Sequence, residues 1–335
     1  MSREIRVVFD RANREFVSEE TIAGHIEVVV DETTHCEELI ISLAWCTRGH
    51  GNPVLGEWGV IRLFEGVWEP GTYRYPFTLV APNGPFSYNG YFLDIEWLLH
   101  AHANIEEDIP IDILETFFLS PSDKGQFDDT QRASVSASNV LREDSNQYKP
   151  WHLALAGVAL IFLGLVAAGV TGIEENIYLG GFAVMLGMGC LGVMASKEVD
   201  RLGDVDIYLN PSAIFPGAAI NTLVLFVPKR HLKVERITAT LRGQEIVHKG
   251  EGQKRTTQRH VFFEEEYLMS EEQELRQGQL VQASTNFKID EDAPLSFHAK
   301  DNEIVWELEY HIQLARWPDW RETRYLVVGP PTPIA

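Results

Sequence analysis

Residues 85–102 read PFSYNGYFLDIEWLLHAH and residues 294–311 read PLSFHAKDNEIVWELEYH, one pattern written twice 209 positions apart. Continued without a gap to Pro121 and Pro330, the two stretches share Pro85/Pro294, Ser87/Ser296, Ile95/Ile304, Trp97/Trp306, Leu99/Leu308, His102/His311 and Pro121/Pro330. Tyr88/Phe297, Asp94/Glu303, Phe118/Val327 and Leu119/Val328 are close substitutions in the same frame. Apolar residues alternate with polar ones, the period of a strand with one buried face. A proline just ahead of such a run suits a strand start, where no backbone donor is needed. Trp97 and Trp306 therefore read as equivalent core anchors of two repeated domains.

Outward from this stretch the repeat continues with a different offset. A shift of 198 places Val7 on Val205, Phe9 on Ile207, Ile22 on Ile220, Glu37 on Glu235, Leu39 on Ile237 and Leu43 on Leu241. The difference between the shifts puts a longer loop in the second half, around Lys249 to Arg259. Both halves consist of short alternating segments broken by Gly, Pro and Asn, with no long amphipathic helix. At 335 residues the chain has room for about two domains. The reading is mainly β, with two antiparallel β-sandwich domains of immunoglobulin-like build over residues 1–121 and 204–335.

The first half carries Glu19-Glu20-Thr21-Ile22-Ala23-Gly24-His25-Ile26-Glu27-Val28, then Gly71-Thr72-Tyr73-Arg74-Tyr75-Pro76-Phe77-Thr78-Leu79, Pro82-Asn83-Gly84-Pro85-Phe86-Ser87-Tyr88 and the strand Leu93 to Ala103. This order resembles the N-terminal domain pattern of the arrestin family. The second half is similar through Phe215-Pro216-Gly217, Gly278, Asp292-Ala293-Pro294-Leu295-Ser296-Phe297 and Ile304-Val305-Trp306, and it lacks the Phe-Pro-Phe step of that pattern. The resemblance implies two arrestin-like β-sandwiches and a protein that binds protein partners without turning over a substrate.

Between the halves, Leu153–Ile173 and Asn176–Ser196 are uncharged runs of 21 residues each, separated by Glu174 and Glu175. About 20 apolar residues cross a bilayer as a helix. Gly164, Ala168 and Gly172, with Ala183 and Gly187, have the spacing that lets helix backbones approach closely in lipid. The reading predicts a two-helix transmembrane hairpin over 151–196, reached by a polar linker at 122–150. Arg142 and Lys149 precede the hairpin, Lys197 and Arg201 follow it, and its tip has no basic residue, which places both domains in the cytoplasm. Trp151 and Tyr178 sit at the span ends. The expected protein is an integral membrane protein with the membrane as one partner.

Twenty-eight basic against 49 acidic residues give a net charge of −21, which opposes nucleic-acid binding. The run Lys229-Arg230-His231-Leu232-Lys233 reads as a solvated strand end. Three cysteines, Cys36, Cys46 and Cys190, are too few for a disulfide framework and fit a reducing compartment. No P-loop, dinucleotide fingerprint, zinc-protease motif or nucleophile elbow is present. His100 and His102 alternate on one strand face and form the leading metal candidate, with His35 and Cys36 as possible further ligands. Because His102 matches His311, beside which stand Glu309 and Tyr310, a shared structural role is preferred. The acidic clusters Glu106-Glu107-Asp108 with Asp112, and Glu264-Glu265-Glu266 with Glu271, Glu272 and Glu274, lack calcium-loop spacing. The reading thus assigns no catalytic, cofactor-binding or metal residue and no enzyme activity. It expects a membrane-anchored adaptor or scaffold for protein partners, or alternatively a structural subunit of a multiprotein membrane complex.

Overall fold

The computed structural model describes residues 3–106, 109–122, 201–211 and 213–330. In the first half, β1 (Arg3–Phe9), β3 (Thr21–Val30) and β6 (Gly71–Val80) form one antiparallel sheet in the order β1-β3-β6. The facing sheet runs β2 (Glu15–Val17), β9 (Ile111–Ser120), β8 (Leu93–Ile105), β4 (Thr34–Gly49), β5 (Leu55–Trp68), with the short β7 (Tyr88–Asn89) also on β8. Every second residue of β3 points inward, and Ile22, Ile26 and Val28 meet Leu39, Ile41, Leu43, Trp97 and Leu99 of the other sheet in one core. Alternation along the strands thus becomes a sandwich.

The second half repeats the plan. β10 (Val205–Asn210), β11 (Ala219–Phe226) and β15 (Val281–Lys288) form the small sheet. The large sheet runs β13 (Thr256–Ser270), β12 (Leu232–Lys249), β17 (Asn302–Leu314), β16 (Phe297–His298), with β14 (Gln273–Leu275) on β12 and β18 (Trp320–Leu326) on β17.

The pairings of β8 with β4, β9 and β7 coincide residue by residue with those of β17 with β12, β18 and β16. Leu43 opposes Leu99 and Leu241 opposes Leu308. Trp97 opposes Phe117 and Trp306 opposes Leu326, while Tyr88 opposes Ile95 and Phe297 opposes Ile304. Trp97 and Trp306, 0% and 1% exposed, donate their indole N–H groups to the Pro85 and Pro294 carbonyls at 2.6 and 2.8 Å. The first strand departs from the expected frame. Val7 opposes Ile26 but Val205 opposes Phe226, so with Ile22 on Ile220 the opening strand has slid by two positions. A slide of two keeps the buried face inward, which is why alternation alone could not reveal it.

The expectation of a helical hairpin is corrected. Among the described residues the only complete helical element is the 3-10 turn Gly252–Lys254, and no helix is long and apolar enough to cross a membrane. The hairpin segment, 151–196, and all but Ser122 of the linker at 122–150 lie outside the described residues. The expected fold class therefore stands only in its mainly β part. The transmembrane helices, the membrane as a partner and the integral-membrane placement with both domains in the cytoplasm are corrected with it. Those expectations rested on uncharged length, small-residue spacing, flanking basic residues and aromatic placement, all of them local sequence signals, whereas the described architecture is closed by strand pairing and by the cores of the two sandwiches.

Candidate functional site

The domains meet through equivalent strand ends of their large sheets, the end of β4 and start of β8 against the end of β12 and start of β17. Glu245 on β12 is 1% exposed and reaches across to the first domain. Its carboxylate accepts the Tyr88 hydroxyl at 2.7 Å, the Tyr91 N–H at 2.9 Å and the Phe92 N–H at 2.6 Å. Three donors satisfy the buried charge, as burial of a carboxylate requires. Burial, with the Glu245 hydrogen bond second, drives the Tyr88 hydroxyl well above the usual phenol range. Gly90 stands against this carboxylate, and a Cβ there would lie 2.1 Å from Glu245 Oε1.

On the other side Asn302 donates to Thr47 Oγ1 at 3.0 Å and to the Asn52 carbonyl at 2.7 Å. Asn52 donates to the Gly250 carbonyl and to Asp301 Oδ2, both at 3.1 Å. Leu93 and Ile95 pack with Val247 and Ile304 as a small apolar cluster between the domains. Thr47 and Glu245 occupy the same position of the repeat, as do Leu93 and Asn302. The joint is thus built from equivalent positions filled with different chemistry.

Beside this joint lies a cleft of about 780 Å³. Each domain lines it with the same strip: Pro85/Pro294, Ser87/Ser296, Tyr88/Phe297, Ile95/Ile304, Phe118/Val327 and Pro121/Pro330. Trp45 stands edge-on to Phe297 with ring centroids 5.8 Å apart. Glu291 and Asp292 put acid on one rim. The two serines are engaged in the fold, because Ser87 Oγ accepts the Leu119 N–H at 2.9 Å and Ser296 Oγ the Val328 N–H at 3.0 Å. The motif that identified the repeat in sequence is therefore the wall of the cleft.

The metal candidates from the sequence separate. His100 Nε2 and His102 Nδ1 both hydrogen-bond Asp112 Oδ1, at 2.7 and 2.8 Å. His102, then His100, hold the Asp112 carboxyl below the usual carboxylate range. His35 does not join them and pairs with Glu106 at 3.0 Å. Cys36 is buried in the first core, where burial pushes its thiol up to about 11. Among the described acidic residues, Glu264 pairs with Arg242, Glu266 with Arg236 and Glu272 with Lys233, so the second cluster is bound into the strand surface. Sequence reasoning missed Glu245, which looks like an ordinary strand glutamate, and missed Asp112 as the partner of both histidines.

No protein-family model and no curated protein matches the sequence. Among solved structures, that of Spo0M, a sporulation control protein from Bacillus subtilis, is similar over 38% of this chain at 15% identity, with a TM-score of 0.31. This chain covers 49% of that one, about half its length. At that score the similarity carries no argument, and the description of two repeated β domains rests on the strand registers.

Proposed function

We propose that this protein is an adaptor of arrestin type that holds an extended segment of a protein partner between its two domains. The observation that carries the reading is the cleft, walled by the same proline- and aromatic-bearing strip of each repeat. Ligand sites are concave and mostly apolar, with a few polar groups fixing orientation. An extended peptide suits a slot whose walls include the short strands β7 and β16, and the acid of Glu291 and Asp292 favours a basic residue at one end. The sequence resemblance to arrestins supports the same class of activity.

A second reading is a structural subunit of a multiprotein complex. It is supported by the edge strand β5, where Leu55, Trp58, Val60 and Val67 are half or more exposed. Exposed apolar residues on an unpaired edge are where another chain adds. A photo-crosslinking residue placed in the full chain at Leu295, and separately at Val60, distinguishes the two. The adaptor reading expects a defined partner segment, sequenced by mass spectrometry, joined at 295. Crosslinks confined to 60 favour the subunit reading and overturn the adaptor.

A further inference from the structure

The outer face of the large sheet in the first domain holds a convergent set of donors that the interdomain cleft does not use. His100 and His102 follow each other on one face of β8, and Asp112 stands directly across from His102 on β9. Their nearest donor atoms, one nitrogen from each ring and one carboxylate oxygen, all lie within 4.8 Å of one another. The side chains are 33%, 26% and 55% exposed, so the set opens to solvent on one side. The flanking positions on the neighbouring strands are Ile40, Ser42 and Leu114, which bring no lysine or arginine to the cluster.

The second domain shows what the same positions look like when the cation is built in. There Glu309, His311 and Arg321 replace His100, His102 and Asp112, with Arg321 directly across from His311. Arg321 donates to Glu309 Oε1 at 2.8 Å, and His311 turns to Asp319 at 2.8 Å. A guanidinium thus supplies positive charge at this place in one repeat, while the other repeat gathers two imidazoles and a carboxylate around it.

We propose that His100, His102 and Asp112 form a binding site for a borderline divalent transition cation, zinc in the first instance. Two imidazoles and one carboxylate select zinc, nickel or copper over magnesium and calcium, which prefer all-oxygen shells. Zinc bonds of about 2.0–2.2 Å to nitrogen and oxygen require only that the side chains open slightly from their present hydrogen-bonded approach. Without the cation the facing nitrogens donate their N–H to the Asp112 carboxylate. On binding, a neutral ring moves that proton to its other nitrogen, and an imidazolium releases one to solvent, so that each facing nitrogen presents its lone pair. The cation then takes the place of the bridging hydrogen bonds, and water or a partner's side chain completes a tetrahedral shell. Because three ligands sit on two paired strands, binding ties β8 to β9 at the sheet surface.

The test is calorimetric titration of zinc into the metal-stripped full chain, with cobalt as a spectroscopic probe of nitrogen and oxygen coordination. One equivalent is expected, together with visible cobalt bands of a four-coordinate site. His100→Ala, His102→Gln and Asp112→Asn should each weaken zinc binding by about tenfold or more, given that even outer-shell changes cost 10–100-fold. His311→Ala should leave it unchanged. All four positions are at least partly exposed or rim-facing, and circular dichroism confirms that each variant is folded. Zinc binding that survives the three substitutions together, that is absent in the parent, or that calcium and magnesium match in affinity overturns the proposal.

Discussion

The two domains share their large-sheet registers and differ in how the shared frame is filled. Where the first core has Ala101 and Gly24, the second has Tyr310 and Thr222, and the tyrosine hydroxyl meets Thr222 Oγ1 at 2.6 Å in full burial. Burial pushes that hydroxyl up to about 12. In the first core Phe77 takes up the space, lying so close that a Cβ on Gly24 would be 2.7 Å from its ring. Volume has been exchanged between facing sheets while strand pairing stayed fixed. The comparison teaches that register belongs to the fold, whereas side-chain volume and charge are free to diverge so long as each pocket stays full.

The strongest way to break the comparison is to remove what the domains have in common. Trp97→Ala and Trp306→Ala should each cost about 3–5 kcal/mol, since each deletes a buried ring and leaves a cavity. Chemical denaturation followed by near-ultraviolet circular dichroism reads this out. Two losses of similar size support equivalence of the anchors, and a loss in one variant alone breaks it.

Next comes the joint, where equivalent positions differ. Glu245→Ala orphans the Tyr88 hydroxyl and the Tyr91 and Phe92 amides, at about 1–3 kcal/mol for each buried group left unpaired. The same change at the matching Thr47 removes one acceptor for Asn302 and one for the Val54 N–H at 2.8 Å, and about 1–2 kcal/mol is expected. Limited proteolysis should show the Glu245 variant cut at the joint first. A Thr47 variant that proves the weaker of the two would reverse the assignment of the main latch.

The repeat was legible because β4, β8 and β9 and their counterparts bury one face, and such strands show their partners every second residue. Glu245 was not legible for the converse reason. Residues 243–247 are buried on both faces, because the first domain covers what would be the solvent side, and alternation disappears there. Asp112 as the partner of His102 was invisible because it depends on the register between β8 and β9, which pairing fixes and composition does not. The cleft was half legible, since the Pro-x-Ser-aromatic elements that line it stand out in the sequence as a repeated element, but nothing in either copy says that the two would face each other. Uncharged length at 153–173 and 176–196 led the reading to a membrane hairpin, an inference from hydropathy that no described helix supports.

A smaller effect separates the cores. Gly24→Ala forces a methyl group toward the Val8 carbonyl and the Phe77 ring and should cost about 1–3 kcal/mol by overpacking. Thr222→Ala, at the matching place, removes the partner of Tyr310 and should cost about 1 kcal/mol. The double variant Gly24→Ala with Phe77→Leu should recover part of the loss, because the shorter side chain vacates the space the methyl needs. No recovery would place the strain on the Val8 carbonyl instead.

The smallest effect concerns the turn carrying β2 between β1 and β3, which pairs in parallel with β9 and whose counterpart in the second domain is reduced to the single parallel bridge of Ile214 to Val328. Arg11 pairs there with Glu20, donating through Nη1 to Oε2 at 3.0 Å, while Glu20 also accepts the Val17 N–H at 3.0 Å. The Arg11 hydrogen bond, followed by the Val17 amide, holds the Glu20 carboxyl below its usual range. A carboxyl depressed in the folded state binds its proton more weakly there than in the unfolded chain. Its contribution is therefore complete above the ordinary glutamate range and is lost as pH falls through the lowered folded value. Glu20→Gln should lower the melting temperature slightly near neutral pH and flatten its decline as pH falls through and below the ordinary glutamate range. Both groups are largely solvated, so the change is small and should shrink further in high salt. A decline of unchanged steepness in the variant would show that the Arg11–Glu20 pair does not carry the acid response of this end of the molecule.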